Sequence, residues 1–132
     1  MTQPRRTRIL ATGGLLLALS LLALPGGAVA KSGDVVRRGD CTGASDWKLK
    51  LSPEDGKIEV EFEVDQNRNG VTWNVVLKND GLVFFRGQRT THAPSGSFEV
   101  RKLTADGSGP DVIVGRARNP VTGEVCRGSA TF

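Results

Sequence analysis

The chain has 132 residues, with 18 Lys and Arg against 14 Asp and Glu and a formal net charge of +4. This length accommodates one domain with one hydrophobic core and is too short for two. Three of the basic residues are arginines in the first eight positions, and without them the chain carries 15 basic and 14 acidic residues, interspersed along its length. The basic balance therefore belongs to the N-terminal segment, and we expect no nucleic-acid partner.

The first thirty residues have the three regions of a secretory signal peptide. A basic stretch at 5–8 precedes an apolar run at 9–24, and residues 28–30 are Ala-Val-Ala. Small residues at those positions suit a signal peptidase, so we predict cleavage after Ala30. A membrane anchor is the alternative, but a glycine pair interrupts the run and a stable span needs about twenty mainly apolar residues. The expected product is secreted, with no stable membrane anchor.

Two cysteines, Cys41 and Cys126, lie near the two ends of the predicted mature chain. Because secreted proteins enter an oxidising compartment, we predict that the two form a disulfide bond; free or intermolecular thiols are the alternative. In the loop-entropy description, closing so long a loop stabilises the fold by about 4 to 5 kcal/mol. The predicted organisation is a signal peptide (1–30), a lead-in (31–40) and one domain (41–132).

From Trp47 onward, apolar and polar residues alternate in short runs separated by Gly, Pro, Asn, Asp and Ser. This pattern is typical of β-strands joined by turns, and no segment has helical spacing over a useful length. The predicted strands are 47–51, 57–64, 71–78, 82–90, 97–103, 111–118 and 124–132, with a further short strand around Val35 and Val36. The chain is therefore predicted to be all-β and antiparallel.

The first predicted hairpin has a register that follows from its apolar residues. If Leu51 faces Ile58 across a turn at 52–57, all the apolar side chains of both strands share one face. The same register pairs Leu49 with Val60, Trp47 with Phe62, Lys50 with Glu59 and Lys48 with Glu61. The acidic row of the second strand is then a solvated face partly neutralised by lysines, rather than a stripe that binds cations.

Trp73 alternates in phase with the apolar residues of the preceding run, so both strands present an apolar face to one core. The two strands could be neighbours in one sheet, or they could lie in opposite sheets with the 65–70 loop crossing between them. The second arrangement is favoured because a tryptophan packed between two sheets is typical of β-sandwiches.

A set of motifs between Cys41 and Phe132 carries a resemblance to a known family. They are C-x5-W-K-L-K at 41–50, I-E-V-E-F-E-V-D at 58–65, Trp73, S-G-S-F-E-V at 95–100 and T-G-E-V-C at 122–126. With them the chain resembles small secreted immunoglobulin-like proteins of actinobacteria. The resemblance implies an antiparallel immunoglobulin-like β-sandwich of about seven strands, but no reaction. The chain departs from antibody domains in the position of its cysteines and in having no tyrosine.

The motif Asp65-Gln66-Asn67-Arg68-Asn69-Gly70 has the D-x-N-x-N-G spacing of a calcium loop, with Asp65, Asn67 and Asn69 as oxygen ligands. The match fails where a bidentate glutamate should follow, because that position is Val76. The alternative is that Asn69-Gly70 supplies a tight turn. We favour the turn.

A small polar cluster is predicted at Arg86, Arg89 and His92, which with neighbouring threonine hydroxyls could contact an anionic partner; alternatively, the arginines form the outer face of one strand. His92 is the only histidine, and no nucleophile motif accompanies it, so we expect no catalytic triad. We also predict no metal site and no cofactor, because the cysteines are expected to be oxidised and no histidine pair exists.

These observations favour a secreted, non-enzymatic binding or interaction module, with an extracellular or cell-wall partner and a monomeric state. Two alternatives stay open. An inhibitor or toxin-like effector would use a rigid loop at 91–97 or 104–110. A small hydrolase would need a concave pocket lined by converging acids or by His92.

Overall fold

All strands predicted from the alternating pattern occur in the structure. The computed structural model describes residues 33–132, and the predicted leader with its cleavage position after Ala30 lies outside the described residues. The strands are β1 (Val35–Asp40), β2 (Asp46–Glu54), β3 (Lys57–Asp65), β4 (Thr72–Asn79), β5 (Leu82–Thr90), β6 (Ser97–Ala105), β7 (Val112–Arg118) and β8 (Val125–Thr131). Within residues 33–132, no helix has the length and apolar character needed to cross a membrane. The predicted all-β class is confirmed.

The strands form two antiparallel sheets of four strands each. Sheet I has the order β1-β2-β3-β6, and sheet II has the order β5-β4-β7-β8. Since β3 and β4 belong to different sheets, the connection between them crosses the sandwich, as the second predicted arrangement requires. Strand β1 pairs with β2 from Val35 to Asp40. Sheet I therefore begins inside the 31–40 segment that the sequence placed ahead of the domain.

The core lies between the two sheets and consists of the inward-facing residues of the alternating runs. Each buried aliphatic or aromatic side chain of this kind stabilises the fold by about 1.5 to 3 kcal/mol. Trp73 is fully buried in this core, as predicted. Its indole Nε1 donates a hydrogen bond to Gln66 Oε1 at 3.1 Å, and its ring centroid lies 6.4 Å from that of Phe98 on the opposite sheet.

The predicted register of the first hairpin is wrong by two residues. Strand β2 continues to Glu54, which pairs with Lys57, so the turn contains only Asp55 and Gly56. Both turn residues have positive φ, 46° and 73°, as a type I′ hairpin turn requires. The observed pairs are Trp47 with Val64, Lys48 with Glu63, Leu49 with Phe62, Lys50 with Glu61 and Leu51 with Val60. A shift of two residues preserves the faces, because side chains alternate with a period of two.

The predicted disulfide bond between Cys41 and Cys126 is confirmed, with the two Cα atoms 4.3 Å apart. Cys41 lies in the connection between β1 and β2, and Cys126 lies on β8. The bond therefore joins sheet I to sheet II at the side of the sandwich where β1 and β8 are the edge strands. A disulfide is consistent with an extracellular protein.

Candidate functional site

Charged side chains are divided unequally between the two sheets. The four strands of sheet II contain six basic residues and no acidic residue, whereas those of sheet I contain eight acidic and seven basic residues. On sheet II, five of the six point to the outer face, where they alternate with buried or partly buried residues of the same strands: Lys78, Arg86, Arg116, Arg118 and Arg127. The outer face of sheet II is thus uniformly basic.

Three of these arginines lie in one row across sheet II. Arg86 on β5 is opposite Val76 on β4, Val76 is opposite Arg116 on β7, and Arg116 is opposite Arg127 on β8. Neighbouring strands are about 4.8 Å apart, so the row spans about 14 Å. Arg116 and Arg127, which we call the arginine pair, are direct cross-strand neighbours of like charge. Such neighbours destabilise a sheet unless something neutralises them.

A shallow groove of about 440 Å³ follows this row. Its lining consists of Val76, Lys78, Gly81, Arg86, Val114, Arg116 and Arg127. The two valines form an apolar floor between cationic side chains, and no lining residue is acidic or aromatic. Among the described residues, the five outer basic side chains of sheet II have no carboxylate partner in an ion pair. We call the groove with this lining the basic groove; Arg118 lies outside it.

The backbone beneath the arginine pair is held in place by aromatic packing. Gly115 and Gly128 form the adjacent cross-strand pair and face the core. A Cβ atom at Gly115 would lie 2.6 Å from Cδ2 of Phe62, and one at Gly128 would lie 2.5 Å from Cζ3 of Trp47. Both aromatic rings come from sheet I. Their contact with bare backbone brings β7 and β8 close to sheet I and fixes the strands that carry the arginine pair.

The outer face of sheet I has the opposite arrangement. Six ion-pair contacts link its charged side chains: Lys48–Glu63, Lys50–Asp34, Lys50–Glu61, Arg101–Glu59, Arg101–Glu61 and Arg101–Glu99. The carboxylates of Glu61 and Glu59 raise the pKa of the Arg101 guanidinium. A groove of about 420 Å³ on this face contains both signs of charge, from Arg38, Asp40, Asp46, Lys48, Glu63 and Asp65.

The structure does not bring the predicted cluster of Arg86, Arg89 and His92 together. Arg86 lines the basic groove, but Arg89 lies opposite Trp73 on the inner side of β5, with its guanidinium carbon 5.0 Å from the Phe85 ring centroid. His92 is exposed in the turn after β5, where its Nδ1 lies 3.0 Å from the Ala93 carbonyl oxygen. The interpretation of both arginines as one outer face is wrong, because residues three apart on a strand point to opposite sides.

The two loops considered for an inhibitory role are anchored at their bases. In the 91–97 loop, His92 pairs with Ser97, and the amide of Gly96 donates to the His92 carbonyl at 3.0 Å. In the 104–110 loop, the amide of Gly107 donates to Asp111 Oδ2 at 3.0 Å. Both loops are short connections between the sheets.

The calcium-like motif forms the connection from β3 to β4. Asp65 Oδ1 accepts a hydrogen bond from the amide of Asn67 at 2.9 Å, which closes an Asx turn. Asn69 and Gly70 form the predicted turn, and the Gly70 amide donates to the Thr91 carbonyl at 2.7 Å. Within residues 33–132, no three His, Cys, Asp or Glu side chains are arranged to hold a metal ion.

Sequence reasoning found only one residue of the basic groove, Arg86. It missed Lys78, Arg116 and Arg127 because they belong to no local motif and acidic residues lie between them along the chain. A count of charges by strand would have revealed the pattern, since the acids near these residues fall in turns. The count becomes informative only when the strands of each sheet are known.

Comparisons with protein-family models, with curated proteins and with solved structures find no match to this chain.

Proposed function

We propose that this chain is a secreted, non-enzymatic binding module that holds an anionic extracellular ligand in the basic groove. The observation that carries the proposal is the row of unpaired cations at Arg86, Arg116 and Arg127. Like charges on adjacent strands do not stabilise the sheet, so their concentration on one concave face favours a role in binding. The signal peptide, monomeric state and extracellular or cell-wall partner predicted from the sequence belong to the same proposal.

We also propose that the module is immunoglobulin-like, within the actinobacterial family that the sequence resembles. The strand order supports this topology: β2-β3-β6 corresponds to immunoglobulin strands A-B-E, and β5-β4-β7-β8 corresponds to C′-C-F-G. Trp73 then occupies the position of the core tryptophan of strand C. Strand β1 is an addition at the edge, and the disulfide bond replaces the usual link between strands B and F with one between the β1–β2 connection and β8.

A binding experiment with matched charge variants tests the groove. The full chain, expressed with its N-terminal segment and recovered in oxidised form, is applied to immobilised poly(glycerol phosphate) and to polygalacturonate. One variant removes three groove charges (Arg86→Gln, Arg116→Gln and Arg127→Gln). The control removes three exposed charges from sheet I (Arg37→Gln, Arg38→Gln and Lys57→Gln), so both proteins have the same net charge.

We expect the wild type and the control to bind at least one polymer, with affinity that falls as salt increases. The groove variant should lose about tenfold or more in affinity, which corresponds to about 1.4 kcal/mol. Equal losses in the two variants would show that net charge, and not the groove, determines binding. Retention of neither polymer by the wild type would also contradict the proposal.

A further inference from the structure

We propose, resting on the function proposed above, that the arginine pair is a phosphate clamp and that the ligand is a linear polyol-phosphate polymer lying across the strands of sheet II. The direct opposition of Arg116 and Arg127 on β7 and β8 carries this inference. Both side chains line the same groove, so their guanidinium groups can reach one anion between them.

The geometry of the pair favours a tetrahedral oxyanion over a carboxylate. A carboxylate accepts hydrogen bonds near the plane of its two oxygens, and one bidentate arginine uses two of its roughly four lone-pair sites, so a second arginine has to approach in that same plane. The unesterified oxygens of a phosphodiester accept hydrogen bonds from several directions around phosphorus. Two guanidinium groups that line one groove from adjacent strands can therefore both bind it, each with its own pair of N–H donors.

The remainder of the groove suits a polymer better than a single phosphate. Arg86 lies two strand spacings from Arg116, about 10 Å along the row, with Val76 between them. A second phosphate can bind Arg86 while the polyol between the two phosphates lies on the valine floor. Lys78 borders the same groove and adds a flexible point charge.

The same lining disfavours a nucleic acid, which is the other common phosphodiester polymer. Single-stranded nucleic acids bind to proteins by stacking their bases on aromatic side chains, and each stacked base contributes substantially. No residue that lines the groove is aromatic. A polyol has no base to stack and needs only cations and a small apolar floor.

The test compares three polymers and two double arginine variants on the oxidised protein recovered as in the experiment above. The polymers are poly(glycerol phosphate), polygalacturonate and single-stranded DNA of the same total charge. Arg116→Lys/Arg127→Lys keeps both charges of the pair and removes both forks. The matched control, Arg38→Lys/Arg118→Lys, makes the same two changes outside the groove.

We expect the wild type to bind poly(glycerol phosphate) about tenfold more tightly than polygalacturonate, the effect of one charged hydrogen bond. The Arg116→Lys/Arg127→Lys variant should lose that preference by weakening its hold on the phosphate polymer alone, and the control should keep it. If the wild type binds both polymers equally, or if the Arg116→Lys/Arg127→Lys variant binds like the wild type, the phosphate clamp is contradicted. The proposal of an anion-binding groove is not affected by either result. Failure to bind any polymer overturns both proposals, and tighter binding of DNA overturns the polyol ligand.

Discussion

The charged side chains on the outer faces of the two sheets are arranged in opposite ways. On sheet I, carboxylates and cations alternate across the strands, and the Nζ of Lys48 lies 2.6 Å from Glu63 Oε2. On sheet II, none of the four strands carries a carboxylate that could pair with the cations. The central charges of sheet I are therefore paired within the fold, whereas no ion pair within residues 33–132 engages the outer cations of sheet II. The net charge of +1 that the sequence predicts for the mature chain is a sum in which the six cations of sheet II are offset by acidic residues elsewhere, so it describes neither surface.

The largest expected effect on stability comes from removing the disulfide bond that joins the two sheets. Cys41→Ser removes the bond that closes a loop with a sequence separation of 85 residues. We expect a loss of about 4 to 5 kcal/mol in the free energy of unfolding, measured by urea denaturation with and without reductant. Reductant should bring the wild type to the level of the variant. An unchanged stability in the variant would show that the bond does not constrain the unfolded chain.

The next effect concerns the packing that holds sheet II against sheet I. In Gly128→Ala the added methyl group would overlap the Trp47 ring, so we expect a loss of about 1 to 3 kcal/mol in unfolding free energy. Gly109→Ala is the control, because a Cβ atom there meets nothing within 4 Å. Equal stability of the two variants in urea denaturation would mean that the indole moves aside freely and does not fix β8.

Single charges on the two faces should then have different effects on stability. Lys48→Gln removes an ion pair from sheet I and should lower the free energy of unfolding by about 0.2 to 1 kcal/mol. Arg116→Gln relieves a like-charge contact on sheet II and should leave stability unchanged or raise it by a similar amount, about 0.2 to 1 kcal/mol. Chemical denaturation of both variants measures the difference. A loss in Arg116→Gln as large as that in Lys48→Gln would assign its guanidinium to the fold.

The smallest effect concerns pH. A hydrogen bond to Asp34 and the nearby charge of Glu61 raise the pKa of Lys50 above its ordinary value of 10.5. Because the folded state binds this proton more tightly, the stabilisation is complete below pH 10.5 and is lost as pH rises through the raised pKa. Thermal denaturation at increasing alkaline pH should show a smaller decline in Lys50→Gln than in the wild type. The control, Lys57→Gln, should follow the wild type, and identical profiles for all three proteins would contradict this linkage.

Much of the fold could be predicted from the sequence because strand structure is encoded locally. Alternation with a period of two placed Trp73 and Leu49 inward, and the turn residues separated the runs. The predicted hairpin register was wrong because of one local detail. Asp55-Gly56 is a typical two-residue turn sequence, but a longer turn was predicted at 52–57. The error changed the ion-pair partners of Lys48 and Lys50 and left the faces intact.

The candidate site could not be predicted in the same way, because its residues are far apart in the sequence and belong to no local motif. Arg86, Arg116 and Arg127 lie on three strands and become neighbours only through the order of sheet II. The cluster predicted from proximity in the chain, Arg86 with Arg89, is divided by the alternation of β5, and Arg89 stacks on Phe85 instead. Nearness along a strand and nearness on a face are different properties in a β-protein.

The sequence by itself determined the all-β class, the positions of the long strands and the pairing of its two cysteines, since each follows from residues within one run or from a count of two. The tertiary structure alone decided which strands share a sheet, and with that decision it gathered six basic residues and no acid into sheet II. Alternation along the sequence predicts which side chains of a strand face the core. Only the order of the strands in the folded sheets determines which charged side chains lie next to an outward-facing residue.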